Sequence, residues 1–194
     1  MKKERRSVRR RQREKKSIRE RIGSFLLWVF EIAVVILFAF VIVYFFGQVR
    51  TNVGQSMELT LSDNDQVLIN TLAYRAGTPK RNDIVAFKPN GSSSAQTYVK
   101  RVVGLPGETV QIRDGMIYIN DKVLLEKTNY PAINDAGLAS DPITLGVKEY
   151  FVLGDNRNNS EDSRHADVGL VNSDYIEGKV WFRISPSESL GWIK

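Results

Sequence analysis

The longest hydrophobic segment of the chain runs from Ser24 to Phe46 and contains one charged residue, Glu31. As an α-helix it would be about 35 Å long, enough to cross the roughly 30 Å hydrocarbon core of a bilayer. Trp28 and Tyr44 lie near its ends, where amphipathic rings favour the membrane interface. A buried core helix would normally be shorter, so the pattern predicts a transmembrane helix over 24–46.

Beyond this segment, short apolar runs are bounded by Asn, Asp and Gly, a pattern typical of β-strands joined by turns. Arg113-Asp114-Gly115 separates two of these runs and is a good hairpin turn. No long stretch after Phe46 has helical periodicity. Residues 126–147 contain Pro and Gly and are expected to form an irregular insertion. The predicted strands lie at residues 66–69, 83–87, 97–103, 109–112, 116–119, 122–125, 149–153 and 179–184.

Positive charge is concentrated at the start of the chain. Residues 1–21 hold 12 Lys or Arg and 3 Glu, a net charge of +9, whereas the whole chain of 194 residues carries +6. A segment this basic and this poor in apolar residues is expected to be disordered. We therefore predict a basic cytoplasmic tail (1–23), a transmembrane anchor (24–46) and a mainly β extracytoplasmic domain (47–194).

The basic tail suits either a nucleic-acid arm or the cytoplasmic flank of a membrane anchor. The apolar segment that follows favours the flank, because Lys and Arg concentrate on the cytoplasmic side. The tail would then contact anionic lipid headgroups and no nucleic acid. A cleaved signal peptide is less suitable, because its apolar region is shorter and Gly47-Gln48-Val49-Arg50 has no A-x-A-like exit. We expect an uncleaved anchor in the cell membrane, with the N-terminus in the cytoplasm.

The composition limits the available chemistry, because the chain has no Cys and one His. Disulfides, thiol nucleophiles, sortase-type transpeptidation and thiolate metal sites are excluded. A His-rich zinc site is excluded too, because it needs several N or S ligands. Catalysis must therefore come from Ser, Thr, Lys, Asp or Glu.

A candidate nucleophile lies about ten residues beyond the apolar segment, in Gly54-Gln55-Ser56-Met57. At about 3.5 Å per residue, a tether of this length reaches at most about 35 Å, which would hold Ser56 close to the outer membrane surface. A small residue at position 54 lets backbone amides converge where an oxyanion would form.

Two residues are candidates for the base that would activate Ser56. His165 is flanked by Asp162 and Asp167, so a Ser-His-Asp triad is formally available. However, Glu58 replaces the second glycine of the G-x-S-x-G pattern, and no Ser has Lys three residues later. Lys100 is in a strand-like run of Tyr and Val, where burial would favour the neutral amine that can accept a proton.

Five segments downstream of the anchor carry distinctive motifs: 56–61 (SMELTL), 64–69 (NDQVLI), 81–87 (RNDIVAF), 100–108 (KRVVGLPGE) and 154–164 (GDNRNNSEDSR). In order, they resemble the nucleophile box S-M-x-P-T-L, two G-D-x-V strand boxes, the general-base box and the G-D-N-R-x-x-S-x-D-S-R box of type I signal peptidases (leader peptidases). These are membrane-anchored Ser-Lys endopeptidases. The similarity extends from Ser24 to about Ile184, and the last two boxes are long and specific.

The resemblance implies an antiparallel β domain of signal-peptidase type and a catalytic pair, Ser56 and Lys100. Ser56 would attack the scissile carbonyl, its backbone N–H would donate to the oxyanion, and Lys100 would be the general base. Some members add a hydroxyl donor two residues before the nucleophile, where this chain has Gly54. Supporting roles would fall to Ser160, which would hydrogen-bond Lys100, to an ion pair of Asp162 with Arg164, and to Asp155 and Arg157.

Three positions depart from the family pattern. Leu59 stands where the nucleophile box has Pro, which fixes φ, so Ser56 is expected to be held less rigidly. Asn64 and Asn82 replace turn glycines, and Asn tolerates a positive φ better than most residues. No catalytic position of the family is lost.

The resemblance and the predicted topology indicate the same substrates, exported preproteins with a signal peptide. Its small-x-small cleavage site follows a membrane-inserted apolar stretch and would be read as an extended strand at shallow apolar subsites. Met57 and Val85 are candidates for lining these pockets. A lysine base needs no metal or organic cofactor.

Two alternatives use the same features. The chain could be a membrane-tethered β-domain that binds exported proteins with weak or no catalysis, with Leu59 as a sign of decay. It could also resemble the self-cleaving repressor proteases, which use a similar Ser-Lys pair. Those proteases need a DNA-binding module, however, and here an anchor takes its place.

Overall fold

The computed structural model describes residues 2–92, 94–126 and 128–193, with side chains described from residue 21 onward. It divides into two compact units, Met1–Tyr44 and Phe45–Lys194. The first unit consists of helix α1 (Lys2–Phe46) up to Tyr44. The part Arg21–Phe46 is 26 residues long, with a mean hydropathy of 3.0 in its most apolar stretch. By length and composition it could cross a membrane, which agrees with the predicted anchor.

The basic segment differs from its predicted disorder, because α1 begins at Lys2 and continues without a break into the apolar part. The physical reason is local. Lys, Arg, Glu and Gln have high helix propensities, and the segment contains neither Pro nor Gly before Gly23. Once the apolar helix has formed, these residues extend it without a second nucleation step.

The second unit consists of short strands joined by turns, as the alternation of apolar and polar residues predicts. Between the strands lie short 3₁₀ helices at Pro89–Gly91, Gly137–Ser140, Ser173–Tyr175 and Ser187–Ser189. The strands are β1 (Gln48–Thr51), β2 (Gln66–Asn70), β3 (Ile84–Phe87), β4 (Tyr98–Gly104), β5 (Thr109–Arg113), β6 (Met116–Ile119), β7 (Lys122–Val123), β8 (Ile143–Thr144), β9 (Glu149–Leu153), β10 (Val171–Asn172), β11 (Ile176–Ser185) and β12 (Gly191–Trp192).

The strands form two antiparallel sheets. The larger has the order β1-β2-β11-β3-β4-β9-β10, with β12 paired to β11, and the smaller has the order β7-β6-β5-β8. β4 lies inside the larger sheet, between β3 and β9. Its central residues therefore have neighbouring strands on both sides, so a side chain there is readily withdrawn from solvent.

The cores lie on both faces of the larger sheet. Ile84 and Ala86 of β3 pack in one cluster, whereas Val85 and Phe87 pack in another, as expected for alternating side chains of a strand covered on both faces. A third cluster contains Val110 and Ile112 of the smaller sheet together with Phe151 of β9 in the larger sheet. The mainly β, antiparallel architecture that the sequence predicts is confirmed.

Two predicted turn features are also present. Asp114 and Gly115 have φ values of 50° and 74°, and they join β5 to β6 in a hairpin. Asn64 and Asn82 have φ values of 65° and 72°, the conformation that glycine would otherwise supply. Asparagine therefore serves at both places as expected.

Candidate active site

Ser56 lies in a tight turn that follows β1. The N–H groups of Thr60 and Leu61 both donate to the carbonyl of Met57, at 3.0 and 2.8 Å. The side chains of Met57 and Leu61 are buried in the hydrophobic core, and this packing holds the backbone of the turn in place. Ser56 directly precedes the buried Met57, so the position of Ser56 depends on how Met57 packs.

Leu59, in the same turn, has a φ of 89° and a side chain that is 69% exposed. Proline cannot adopt this conformation, because its ring holds φ near −65°. The backbone of this chain therefore does not suit the proline that the family motif has at this place. Hydrogen bonds and the two buried side chains of the turn hold it instead.

The amine of Lys100 reaches Ser56 from the middle of β4. Lys100 Nζ donates to Ser56 Oγ at 2.6 Å, although the two residues are 44 positions apart in the sequence. Lys100 is 4% exposed, and its amine lies 5.3 Å from the centre of the Tyr98 ring. Burial lowers the pKa of Lys100 to about 8, while the carboxylates of Asp162 and Glu161 oppose this shift. A substantial fraction of the amine is therefore neutral in mildly alkaline solution.

Arg101 and Asp155 form a buried ion pair next to this pair. Asp155 accepts from Arg101 Nε and Nη2, at 2.7 Å each, and from the hydroxyl of Thr60 at 2.5 Å. Arg101 also donates to the Asn82 carbonyl. These contacts join the turn that contains Ser56, β4 and the loop after β9, so non-covalent bonds connect the elements that carry Ser56 and Lys100.

The loop 154–164 contains a second buried pair. Asp162 accepts from Nε and Nη2 of Arg164, both at 2.8 Å, and the pair is almost completely buried. This is the ion pair that the family resemblance implies. The backbone N–H of Arg157 donates to the carbonyl of Asp155 at 3.1 Å. Its guanidinium donates to both carboxylate oxygens of Glu126 and stacks on the ring of Tyr130.

Ser160 does not make its expected contact. Among the residues that the structure describes, its buried hydroxyl has no hydrogen-bond partner, so the predicted bond to Lys100 is absent. The hydroxyl lies instead against Gly154, where a Cβ would meet both Ser160 Oγ and the Ser56 carbonyl closer than any real Cβ approaches. A glycine at 154 is therefore required by this close approach.

Ser56 and Lys100 line a cavity of about 530 Å³, which we call the groove. Its walls come from the segment 53–56 that follows β1, from residues 96–100 at the start of β4, from Asn134 and Asp135, and from residues within 157–165. Met57 and Val85, the predicted pocket residues, do not line it, and both are 0% exposed. This placement does not support the predicted contact with substrate. Val85 is buried because it lies in a strand that is covered on both faces, and Met57 is buried because its side chain packs in the core under the turn.

Sequence reasoning did not identify Arg101, Thr60 or Glu126 as site residues. Arg101 had a usable signal, because it follows Lys100 in the general-base motif and successive strand residues point to opposite faces. No sequence signal indicated a role for Glu126, because it lies in the segment expected to be irregular, 31 positions from Arg157. His165 also lines the groove, but within the described residues no hydrogen bond joins it to Ser56.

Comparison with known proteins identifies the family. The family model described as "Signal peptidase, peptidase S26" matches residues 25–185 of this chain. Signal peptidase I T of Bacillus subtilis is 36% identical over 88% of this chain and 91% of its own length. Signal peptidase IB of Staphylococcus aureus is 34% identical over 83% of this chain and 90% of its own.

A crystal structure of a signal peptidase I from Enterococcus faecalis is 36% identical, covers 52% of this chain and 95% of its own, and superposes with a TM-score of 0.40. On the family match and the two relatives, the chain belongs to the signal peptidase family, peptidase S26. This is a family of serine endopeptidases.

Proposed function

We propose that Ser56 and Lys100 are the catalytic pair with which this chain, a serine peptidase of the signal peptidase family, cleaves signal peptides from exported preproteins. The observation that carries the proposal is the 2.6 Å contact between Lys100 Nζ and Ser56 Oγ. A general base must lie within hydrogen-bond reach of the proton that it removes, and this contact satisfies that requirement.

The chemistry that follows from this contact has two halves. Neutral Lys100 accepts the hydroxyl proton of Ser56 as Oγ attacks the scissile carbonyl, and the protonated amine then gives that proton to the leaving amine. The acyl group stays on Ser56. A water molecule then attacks this ester while Lys100 accepts one of its protons. As the bond between the acyl carbon and Ser56 Oγ breaks, the ammonium returns that proton to Oγ, which releases the new carboxyl terminus and restores the Ser56 hydroxyl and the neutral amine. The low exposure of Lys100 supports the neutral starting form.

The oxyanion of the first half needs a hydrogen-bond donor, and the Ser56 N–H is the candidate. No hydrogen bond joins this N–H to another residue in the described part of the chain. Gly54, two residues earlier, has a φ of 83°, and a Cβ there would meet nothing within 4 Å. The open space on this side leaves room for a substrate carbonyl, which supports the backbone N–H as the donor.

The substrate is proposed to bind as an extended strand along the groove, with small residues flanking the bond that is cut. A signal peptide places such a bond just after its membrane-inserted stretch. The apolar helix α1 supports membrane attachment of the enzyme itself. We propose that its N-terminus is cytoplasmic and that residues 47–194 are extracytoplasmic, because the basic residues precede the helix.

The test is direct cleavage. The purified full-length chain is incubated with a preprotein, and the new N-terminus of the product is sequenced. Cleavage after a small-x-small sequence, lost in Ser56→Ala, is the expected result. Binding of the preprotein without any cut would instead favour the non-catalytic, membrane-tethered alternative and would contradict the proposal.

A further inference from the structure

The groove beside Ser56 contains ionisable groups of both signs, but they are not equally available to a substrate. Its two guanidinium side chains are Arg157 and Arg164, which are 1% and 4% exposed, and its one imidazole is that of His165. Arg157 is paired with Glu126, and Arg164 with Asp162. Their charges are therefore neutralised within the protein. Lys100 is neutral in the form that acts as a base.

The acidic side chains of the groove are in a different state. Asp135 and Glu161 both line it, both are exposed, and within the described residues neither forms an ion pair with a basic side chain. Both are held in place. Glu161 accepts from the Tyr98 hydroxyl at 3.4 Å, and Asp135 accepts from the Gly137 N–H at 2.9 Å. The backbone carbonyl of Asp135 also accepts from Arg164 at 3.0 Å.

Apart from these groups and the imidazole of His165, the groove is lined by uncharged residues, many with amide side chains such as Gln55, Gln96 and Asn159. The two carboxylates therefore set the sign of the potential that a bound peptide meets. The groove is defined as a peptide site by the Ser56–Lys100 pair, and the carboxylates add a charge preference to it.

We propose that Asp135 and Glu161 make this groove select preproteins that carry a basic side chain next to the cleaved bond and reject those with an acidic one there. This inference rests on the proposed function, because it assumes that the substrate occupies the groove. Exposed charges act weakly, so a preference of about fivefold is expected, and salt should weaken it.

The experiment uses the full-length chain in neutral detergent micelles, which removes lipid charge from the assay. Matched peptides with one small-x-small site carry Lys, Gln or Glu at a single position, moved in turn through the residues that flank the bond. The quantity measured is the ratio of kcat/KM for the Lys peptide to that for the Glu peptide. A ratio cancels any change in the reactivity of Lys100 or in the fraction of folded enzyme.

At one or more flanking positions, the wild-type ratio should be about fivefold or higher in low salt and should fall below about twofold in half-molar salt. The double variant Asp135→Asn with Glu161→Gln should bring the low-salt ratio below about twofold as well. The matched control is Asp141→Asn with Glu188→Gln, which removes two exposed carboxylates outside the groove and changes net charge equally. This control should keep the wild-type ratio.

A wild-type ratio near one at every position would overturn the inference. So would a ratio that the groove double variant leaves unchanged, or one that the control variant reduces equally. The Gln peptide separates this result from the proposed function. If the wild type does not cut the Gln peptide, or if Ser56→Ala still cuts it, the proposed function has failed. If Ser56-dependent cleavage is normal but the groove double variant leaves the Lys-to-Glu ratio of kcat/KM unchanged, only the charge preference is overturned.

Discussion

Asp155 and Arg101 form a bidentate ion pair, with two N–O distances of 2.7 Å and side-chain exposures of 0% and 5%. The pair joins the strand that carries Lys100 to the loop that begins at Gly154. The same carboxylate accepts from Thr60, which belongs to the turn of Ser56. One buried carboxylate therefore connects the elements that position Ser56 and Lys100.

Removing that carboxylate should cost stability and activity together. Asp155→Ala leaves the Arg101 guanidinium buried without its main partner, and such losses typically cost about 3–5 kcal/mol of unfolding free energy. The melting temperature should fall by about 6 °C or more. Asp174→Ala is the control, because its pair with Lys148 is exposed and should contribute less than about 1 kcal/mol. Equal melting temperatures for the two variants would contradict the buried-pair account.

The rate of cleavage should depend on pH through Lys100. Its pKa is lowered to about 8 chiefly by burial, and only the neutral amine can accept the Ser56 proton. The value of kcat/KM should therefore rise with pH, reach half of its plateau near pH 8, and be about a tenth of the plateau at pH 7. The measurement is kcat/KM for one peptide from pH 6 to 10. A rate that is flat across this range, or that falls from pH 7 to 9, would contradict a lysine base.

Gly154→Ala should impair catalysis by displacing Ser56. The added methyl group would collide with the Ser56 carbonyl and with the Ser160 hydroxyl, and backbone cannot yield as a flexible side chain can. A displacement of about 1 Å in a reacting group can cost about 100-fold in rate, so kcat should fall by that order. Gly191→Ala is the matched control, because a Cβ there meets nothing within 4 Å. Full activity of Gly154→Ala would mean that this close approach is not needed.

Leu59 offers a test of the turn itself. Its φ of 89° is closed to proline, so Leu59→Pro should destabilise the domain by more than about 1 kcal/mol and reduce kcat, although it restores the residue of the family motif. Leu59→Gly should keep the turn, because glycine adopts a positive φ freely. Melting temperature and kcat of the two variants are to be compared. A more active and more stable Leu59→Pro variant would show that the turn has a negative φ at this position.

Much of the fold could be predicted because it follows from local pattern. The eight predicted strands correspond to β2–β7, β9 and β11. Each contains a run of apolar residues or lies next to a recognisable turn sequence. The missed strands, β1, β8, β10 and β12, are two to four residues long. They exist because a neighbouring strand offers hydrogen bonds, and so short a segment leaves no periodicity to detect.

The site divides in the same way. Ser56 and Lys100 were predicted from their motifs, and the structure brings them together, but the burial of Lys100 depends on β3 and β9 lying on either side of β4. No local sequence pattern predicts whether a lysine in a strand, such as Lys100, will be buried by the rest of the fold. The pairing of Arg157 with Glu126 likewise depends on the path of a long irregular segment. Met57 and Val85, the candidates for lining the pocket, are both buried. The sequence alone could not distinguish these places, because apolar residues suit a pocket and a core equally well.

The central claim is that neutral Lys100 activates Ser56 for signal-peptide cleavage. The most direct test is the initial rate of cleavage of one preprotein by the wild type and by Ser56→Ala, Lys100→Ala and His165→Gln, with each product N-terminus sequenced. Both the Ser56 and the Lys100 variants should give no cleavage at the small-x-small site, while His165→Gln should still process the preprotein. An active Lys100→Ala variant together with an inactive His165→Gln variant would contradict the account.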